Sequence, residues 1–345
     1  MKSSQVVFQN KLPTYKSFKG PCFLIYDSYF ETNSPSLKPI QEWIHSFPNR
    51  IGFASGEDLK NLSHFPERIE KILSLVSEMA VKNVQIIGLG GGSIGDFAGF
   101  VASILRRGLP LIHIPTTWLS AMDSSHGGKT ALNVAGFKNQ IGTFYPADKI
   151  ILVKPLLFEQ PAARAEEAFG EALKMALLKG GDLWKSFSKI KKFDHATAWK
   201  FLPALIEGKY QIVKKDPYEK KGLRHLLNLG HTLGHVWEAA LGIPHGTAVS
   251  YGLRACIEIS REKKVLSEKE YRLLNEAPVI AILPSKEDLA HLMNKSSLNV
   301  KEYLLKDKKI SQSNSLRYIF IQRPGKCPIA DLKIDELVAM YEKLR

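Results

Sequence analysis

The chain has 345 residues, a length that suits two domains or one large domain. Hydrophobic residues make up 44% and charged residues 24%, as in soluble globular chains, which excludes a disordered or fibrous class. The apolar runs are too short for a membrane span, and no apolar segment follows the first residues, so we expect neither a membrane anchor nor a secretory signal. The net charge is +14, but the lysines are spread along the chain, which favours a solvated surface over nucleic-acid binding.

The first half of the chain alternates strand-like and helix-like patterns. Short apolar runs predict three strands, at residues 23–26, 84–87 and 111–114. Helical spacing of apolar residues predicts two helices, at residues 69–79 and 97–105. Strand, glycine turn, helix and strand in this order indicate a βαβ unit on a parallel sheet.

Beyond about Lys154 the strand signals become sparse and helical patterns take over. These patterns predict three long helices, at residues 162–178, 223–240 and 247–261. The sequence therefore predicts an α/β domain over residues 1–155 and a mainly helical domain over residues 156–345, with Pro155 near the junction.

A glycine-rich turn, Gly90-Gly91-Gly92, follows the second predicted strand and precedes a helix. Glycines there let the backbone approach a phosphate, and the helix N-terminus supplies N–H donors. The spacing is neither GxGxxG nor GxxxxGK[ST], so a dinucleotide pyrophosphate would fit although the usual fingerprint is absent. A tight turn without a ligand is the other interpretation.

The predicted helix 223–240 carries an unusual polar face. Four residues are spaced along it at i, i+4, i+7 and i+11: Arg224, Asn228, His231 and His235. Such a face suits the wall of an anionic pocket better than a core. A further histidine, His245, stands where the next helix is expected to begin.

Two histidines and one carboxylate form a zinc site with an open coordination position. Glu171, on the predicted helix 162–178, is the candidate carboxylate, and Lys174 shares its face. Spacing alone leaves the choice of histidines open, because His231 and His235 at i, i+4 could also chelate one metal together. For any single histidine, the alternative is a ring that is hydrogen-bonded to protein groups or exposed to solvent and binds no metal.

Three ordered blocks of residues resemble the 3-dehydroquinate synthase family, over most of the chain from about Asp27 to about Lys309. The first block, residues 90–145, contains Arg106-Arg107-Gly108, Pro115-Thr116-Thr117, Asp123-Ser124-Ser125, Gly127-Gly128-Lys129-Thr130 and Lys138-Asn139. The second block is Gly170-Glu171-Ala172-Leu173-Lys174. The third block, residues 224–246, contains Leu227-Asn228-Leu229-Gly230-His231-Thr232-Leu233-Gly234-His235 and His245-Gly246.

The resemblance implies a fold and a set of cofactors. The fold is a Rossmann-like NAD-binding domain followed by a mainly helical metal-binding domain, with the active site in the cleft between them. The metal is divalent, with zinc expected and cobalt as the alternative. Its implied ligands are Glu171, His231 and His245, whereas His235 matches a histidine near the substrate that is not a ligand.

The resemblance also implies the other site residues. Positions that contact the substrate are matched by Arg107, Lys129, Lys138, Asn139, Lys174, Lys209, Arg224, Asn228 and His235. The cofactor side is matched by Asp27, Glu57, Lys60, Gly92, Ser93, Ile94, Gly95, Asp96, Thr116, Thr117 and Asp123, with Lys129 and Lys138 counted there as well. Arg107 matches an arginine that reaches the phosphate site of a second subunit, which implies a homodimer. Either Lys308 or Lys309 matches a further phosphate contact.

The reaction implied by the resemblance converts 3-deoxy-D-arabino-heptulosonate 7-phosphate into 3-dehydroquinate and phosphate. It proceeds by transient oxidation with NAD+, β-elimination of phosphate, re-reduction and an intramolecular aldol closure. The chain is accordingly expected to be a cytoplasmic lyase of the shikimate pathway, which makes precursors of aromatic amino acids. Its expected partners are an anionic sugar phosphate and a second copy of the chain, without nucleic acid or membrane.

Other sugar phosphate cyclases, 2-deoxy-scyllo-inosose synthase-like or amino-dehydroquinate synthase-like, are the alternative. The retention of Lys209, Arg224, Asn228 and His235 favours the dehydroquinate branch. A related polyol dehydrogenase is a more distant alternative that would release NADH.

The sequence departs from the family pattern at three places. Thr247 stands where the family usually has Glu, directly after His245-Gly246. Residues 134–137 and 156–159 also differ from the usual pattern. We expect these changes to affect support of the metal ligand and local loop geometry, and to leave the reaction class unchanged.

Overall fold

The chain divides into two units, Met1–Pro161 and Ala162–Arg345. The computed structural model describes residues 3–79, 81, 83–294, 298–306 and 314–345. None of the helices in these ranges is long and apolar enough to cross a membrane.

The first unit is built on a parallel sheet. Its strands are β1 (Gln5–Gln9), β2 (Cys22–Asp27), β3 (Arg50–Phe53), β4 (Gln85–Gly90), β5 (Leu111–Pro115), β6 (Lys129–Val134), β7 (Phe137–Phe144) and β8 (Lys149–Val153). Six of them pair in the order β1-β8-β5-β4-β2-β3, and β6 and β7 form a separate antiparallel hairpin. The helices of this unit are α1 (Lys38–His45), α2 (Phe65–Glu78), α3 (Gly92–Ile104) and α4 (Lys154–Phe158).

The predicted βαβ unit is confirmed by β4, α3 and β5, with β4 and β5 adjacent and parallel. The strands read as near-continuous apolar runs because both faces of an inner parallel strand are covered. Helix α3 begins at Gly92 rather than at the predicted residue 97. The last residue of the glycine turn is therefore already the first residue of the helix, with Gly91 as its N-cap.

The second unit is mainly helical, as predicted. Its helices are α5 (Ala162–Glu167), α6 (Phe169–Lys179), α7 (Gly181–Phe187), α8 (His195–Lys215), α9 (His231–Leu241), α10 (His245–Glu262), α11 (Glu268–Asn275), α12 (Lys286–Asn294), α13 (Val300–Lys306) and α14 (Ile334–Leu344). An antiparallel hairpin, β9 (Ser315–Ile319) and β10 (Ile329–Lys333), lies near its end in sequence. The buried helix α10 packs against α6, α9 and α14 and forms the centre of this unit.

The prediction of one continuous helix over residues 223–240 is wrong. Leu223–Asn228 forms a 3₁₀ helix, and α9 begins only at His231. Between them Leu229 is extended (ψ 124°) and Gly230 is left-handed (φ +80°), a combination that no helix continues through. The chain turns here because the Asp216 carboxylate accepts N–H bonds from the backbone of the 3₁₀ segment, including Leu223 at 2.9 Å.

The consequence is that Arg224 and Asn228 do not share a helical face with His231 and His235. The prediction of one helix over residues 162–178 is also wrong, because α5 and α6 are separate helices divided at Ala168. The prediction that a helix begins at His245 is confirmed, with Pro244 as its N-cap.

Candidate metal centre and cofactor-binding edge

Three side chains converge in the second unit, each from the start of a different helix. Glu171 lies in the first turn of α6, His231 is the first residue of α9, and His245 is the first residue of α10. The Nε2 atoms of the two histidines lie 3.1 Å and 3.2 Å from the same Oε1 atom of Glu171. One ligand atom from each side chain therefore falls within a cluster less than 4.8 Å across.

Glycines let these helix starts approach closely. A Cβ atom on Gly170, next to Glu171, would lie 2.6 Å from the carbonyl oxygen of Gly246, next to His245. A Cβ on Gly252 of α10 would lie 1.8 Å from the carbonyl oxygen of Gly230, the N-cap of α9. Both distances are far inside van der Waals contact, so a larger residue would push the ligand-bearing helices apart.

Hydrogen bonds at the Nδ1 atoms orient both rings. His231 Nδ1 donates to the carbonyl oxygen of Leu229 at 3.1 Å, and His245 Nδ1 donates to Oε2 of Glu238 at 2.8 Å. Each ring consequently turns Nε2 towards Glu171. A carboxylate oxygen and two imidazole Nε2 atoms with fixed tautomers are the donor set of a catalytic zinc site, so these residues fit a divalent metal.

Electrostatics at this cluster favour an ionised carboxylate. Burial opposes ionisation of Glu171, but Lys174 and His231 beside it hold its pKa well below the usual range. Lys174 is buried and ion-paired with Oε2 of Glu171. Burial lowers the pKa of His231. His245 is also desolvated, yet its hydrogen bonds to Glu171 and Glu238 raise its pKa to about 10.

A second group of possible ligands overlaps the first: His235, Glu238 and His245 also lie within 4.8 Å of one another. The ring of His235 is 5.2 Å from that of His231 and 5.9 Å from that of His245, centroid to centroid. Sequence reasoning did not single out Glu238. Its position three residues after His235 and seven after His231 on α9 is the signal that points to the same face.

Buried polar side chains from neighbouring elements accompany the cluster. Lys209 lies on α8 and Arg224 on the 3₁₀ helix, only 5% and 3% exposed, and both elements pack against α6. The Nη1 atom of Arg224 donates to the Pro217 carbonyl oxygen at 2.9 Å, and Asn228 Nδ2 lies 3.4 Å from Nδ1 of His225. Buried cations of this kind suit a site that holds anionic groups.

In the first unit, the predicted cofactor residues gather where parallel strands end. Gly90 ends β4 in register with Pro115, the last residue of β5, and the N–H of Thr116 donates to the Gly90 carbonyl oxygen at 3.0 Å. Asp27 ends the neighbouring strand β2. This carboxyl edge of a parallel sheet, with a glycine turn opening a helix, is where dinucleotides bind in doubly wound folds.

The glycine turn itself is closely packed. A Cβ on Gly90 would lie 2.6 Å from Ile94, and a Cβ on Gly92 would lie 3.1 Å from the hydroxyl of Ser124. The hydroxyl of Ser93 accepts the N–H of Gly56 at 3.0 Å, which ties the turn to the preceding loop. Within the described residues, no side chain caps the N-terminus of α3, which suits the approach of a phosphate to the N–H groups of its first turn.

A polar network joins predicted cofactor and substrate residues. Buried Lys60 contacts Asp96 at 2.6 Å and also donates to the side-chain oxygen of Asn139. Asn133, which sequence reasoning missed, accepts the Asn139 N–H at 2.8 Å and donates to Glu57 at 2.7 Å. Burial raises the pKa of Asp96, and Lys60 opposes that effect. The network thus fixes the β6–β7 hairpin beside α3, the helix that begins at the glycine turn.

The remaining predicted residues occupy the following places. Ile94 and Gly95 lie in the first turn of α3. Thr117 shares a hydrogen bond with Ser120 at 2.8 Å and precedes a π-helical turn that contains Asp123. Lys129 begins β6 and Lys138 lies on β7, both exposed. Arg107 is exposed with φ +66°, and Lys308 and Lys309 lie outside the described residues.

Comparison with solved structures identifies the fold. The chain superposes on 2-deoxy-scyllo-inosose synthase in complex with carbaglucose-6-phosphate, NAD+ and Co2+ with a TM-score of 0.74 and 22% identity, covering 98% of this chain and 96% of that chain. For 2-epi-5-epi-valiolone synthase of Streptomyces hygroscopicus with NAD+ and Zn2+ the TM-score is 0.72 at 21% identity, covering 100% and 97%. The fold is that of the sugar phosphate cyclases.

The sequence defines the family more narrowly. Residues 50–167 match the model of the 3-dehydroquinate synthase N-terminal domain, and residues 168–310 match that of its C-terminal domain. The 3-dehydroquinate synthase of Legionella pneumophila (strain Paris) is 37% identical over 270 residues, covering 75% of this chain and 70% of that protein. This chain belongs to the 3-dehydroquinate synthase family.

A further relative is longer. The bifunctional shikimate kinase/3-dehydroquinate synthase of Thermotoga maritima is 35% identical over 291 residues, covering 84% of this chain. The matched segment spans 57% of that protein, a little over half of its length.

Proposed function

We propose that this protein converts 3-deoxy-D-arabino-heptulosonate 7-phosphate into 3-dehydroquinate and inorganic phosphate. The observation that carries the proposal is the Glu171, His231 and His245 cluster in a chain of the 3-dehydroquinate synthase family. The cluster offers one carboxylate oxygen and two imidazole nitrogens from three closely packed helix starts. The reaction belongs to the shikimate pathway.

The proposed metal is zinc, with cobalt as the alternative, held by Glu171, His231 and His245. NAD+ is proposed to bind at the carboxyl edge of the parallel sheet, with its pyrophosphate at the N-terminus of α3. Residues proposed to contact it are Asp27, Glu57, Lys60, Gly92, Ser93, Ile94, Gly95, Asp96, Thr116, Thr117, Asp123, Lys129 and Lys138. When bound, the metal would supply polarisation of the substrate hydroxyls, and NAD+ would supply reversible hydride transfer.

The side chains of this protein are proposed to bind and orient the two anionic ends of the substrate. Residues proposed for this role are Arg107, Lys129, Lys138, Asn139, Lys174, Lys209, Arg224, Asn228 and His235. Lys174, fixed by its ion pair with Glu171, would place its charge beside the proposed metal site. Because elimination, ring opening and aldol closure follow from a correctly held conformation, positioning is the main contribution of these groups.

We propose a homodimer in the cytoplasm. The support for the dimer is that Arg107, whose side chain is exposed, matches a family arginine that reaches the phosphate site of a second subunit. The three cysteines support the proposed cytoplasmic location. Cys22, Cys256 and Cys327 are all free thiols, as is usual for proteins in a reducing cytosol.

The test is the release of inorganic phosphate from 3-deoxy-D-arabino-heptulosonate 7-phosphate with catalytic NAD+, after chelation and with or without added zinc or cobalt. We expect release that depends on both metal and NAD+, without net NADH. His245→Ala should abolish it, whereas Glu262→Ala, an exposed carboxylate on the same helix, should retain it.

Absence of phosphate release by protein with metal confirmed bound would contradict the proposal. The same assay with glucose 6-phosphate or sedoheptulose 7-phosphate then tests the other sugar phosphate cyclases. Net accumulation of NADH from a polyol would instead indicate a dehydrogenase.

A further inference from the structure

His245 lies between two carboxylates that contact opposite sides of its ring. Nε2 is 3.2 Å from Oε1 of Glu171, and Nδ1 is 2.8 Å from Oε2 of Glu238. Glu171 is almost completely buried, while the Glu238 side chain is 21% exposed. The two carboxylates are therefore in different environments, and Glu171 also contacts Nε2 of His231.

An imidazole that binds a metal through one nitrogen usually donates its other N–H to an oxygen, which fixes the tautomer and the ring orientation. His231 makes this bond to a neutral backbone carbonyl, that of Leu229, which α9 itself places. His245 has no such carbonyl contact among its described hydrogen bonds and uses the Glu238 side chain. A charged acceptor also makes the imidazole a stronger electron donor than a neutral one does.

The place of His245 at the start of α10 leaves its ring less restrained than that of His231. His245 is the first residue of α10, directly after Pro244 in the short turn Gly242-Ile243-Pro244. Its ring is 35% exposed, against 9% for His231, so packing restrains it less. Thr247, which replaces the usual family Glu, is half-buried two residues further along α10. The carboxylate on Nδ1 comes from Glu238, in the last turn of α9.

We propose that Glu238 is the positioning residue of the metal centre: its carboxylate holds His245 through Nδ1 so that Nε2 points to the metal. The inference rests on the proposed metal role of Glu171, His231 and His245. It excludes Glu238 as a ligand, although His235, Glu238 and His245 could also surround an ion. In that second arrangement Glu171 would be dispensable and Glu238 essential.

The experiment measures the affinity for Co2+ by chelator competition, together with the visible absorption spectrum of the bound ion, at one fixed pH. For Glu238→Ala we expect affinity weaker by about 10- to 100-fold with an unchanged spectrum, because the ligand set is intact. Glu238→Gln keeps an acceptor oxygen and should recover part of the loss. Glu171→Ala should remove the spectrum, and Glu262→Ala, at an exposed carboxylate on α10, is the matched control that should bind as the parent does.

Two results would overturn the inference. Unchanged affinity in both Glu238 variants would show that His245 needs no carboxylate on Nδ1. A changed spectrum in Glu238→Ala, with a retained one in Glu171→Ala, would make Glu238 a ligand. If the parent protein itself shows no Co2+ spectrum, the proposed metal centre fails instead. Glu238→Gln, which conserves size, keeps the test valid if the alanine variant does not fold.

Discussion

His113 is a buried histidine whose protonation should control the acid stability of the first unit. It lies on β5, an inner strand of the parallel sheet, and is 8% exposed. Its ring occupies space that small residues leave open: a Cβ on Gly88 would lie 3.3 Å from Nδ1, and one on Gly95 would lie 3.9 Å away. Nδ1 has no hydrogen-bond partner among the described residues, and burial lowers the pKa of His113 to about 4.

The size of the effect follows from the two states. The ordinary pKa of 6.5 applies to the unfolded chain, so the unfolded state takes up a proton at higher pH than the folded state does. Stability contributed by neutral His113 is therefore complete above pH 6.5 and is lost as the pH falls towards about 4. The pKa difference corresponds to about 3 kcal/mol in full, and to about 2 kcal/mol by pH 5.

The assay compares the free energy of unfolding of the parent and of His113→Gln, by chemical denaturation from neutral pH to pH 5. The buried glutamine amide destabilises the protein at every pH, so only the pH dependence of the difference is informative. We expect the parent to lose about 2 kcal/mol more than the variant over this range. His45→Gln, at an exposed histidine of the same unit, should follow the parent.

A difference between parent and His113→Gln that stays constant with pH would refute the reasoning. A titration of the His113 ring followed by NMR is the direct check. A midpoint near 6.5 in the folded protein would show that the ring reaches water or a partner.

In denaturation and Co2+ titrations, Gly252→Ala should destabilise the second unit by more than about 3 kcal/mol and weaken metal binding, because its Cβ would lie 1.8 Å from a carbonyl oxygen at the α9 N-cap. The control is Gly208→Ala, whose Cβ would meet only a flexible side-chain end at 3.3 Å, and equal stability of the two variants would contradict this packing. Lys60→Met should lower the free energy of unfolding, measured by denaturation, by about 2 to 3 kcal/mol because it leaves Asp96 unpaired. Adding Asp96→Asn should restore part of that loss, and no recovery would mean that the ion pair is not the cause. Arg107→Ala should lose activity alone and regain part of it when mixed with a metal-ligand variant, since mixed dimers contain one intact site; a mixture that stays inactive would count against a site shared between subunits.

Local pattern was enough to predict several elements of this protein. Apolar runs predicted the strands β2, β4 and β5, because a parallel strand buried on both faces needs nothing beyond its own residues to be recognised. The glycine turn between β4 and α3 and the helix that begins at His245 were also predicted from local residue types. The residue types of the metal cluster were also visible, since carboxylate and imidazole are the ligands that zinc accepts.

Pattern failed where distant contacts override helical spacing. Residues 223–240 have helical periodicity, yet the chain breaks at Leu229 and Gly230 because the Asp216 carboxylate holds the preceding turn and α10 packs against the glycine. The long helix predicted over residues 162–178 is likewise divided at Ala168, just before Gly170 contacts the start of α10. Periodicity describes one segment at a time and carries no information about such contacts.

The metal ligands were predicted only in part from local pattern. Spacing left the choice of two histidines open, since His231 and His235 could chelate one metal together, and the family resemblance proposed His231 with His245. In the structure both rings of that pair direct Nε2 to one oxygen of Glu171. The two histidines lie 60 and 74 positions after Glu171 in the sequence, and they reach it because glycines let the helices approach closely. The contact between Glu238 and His245 likewise joins turns of two different helices. The sequence alone determined which chemical groups were present, whereas the tertiary structure decided which of them meet, because close approach of backbones is a property of pairs of segments and not of either one.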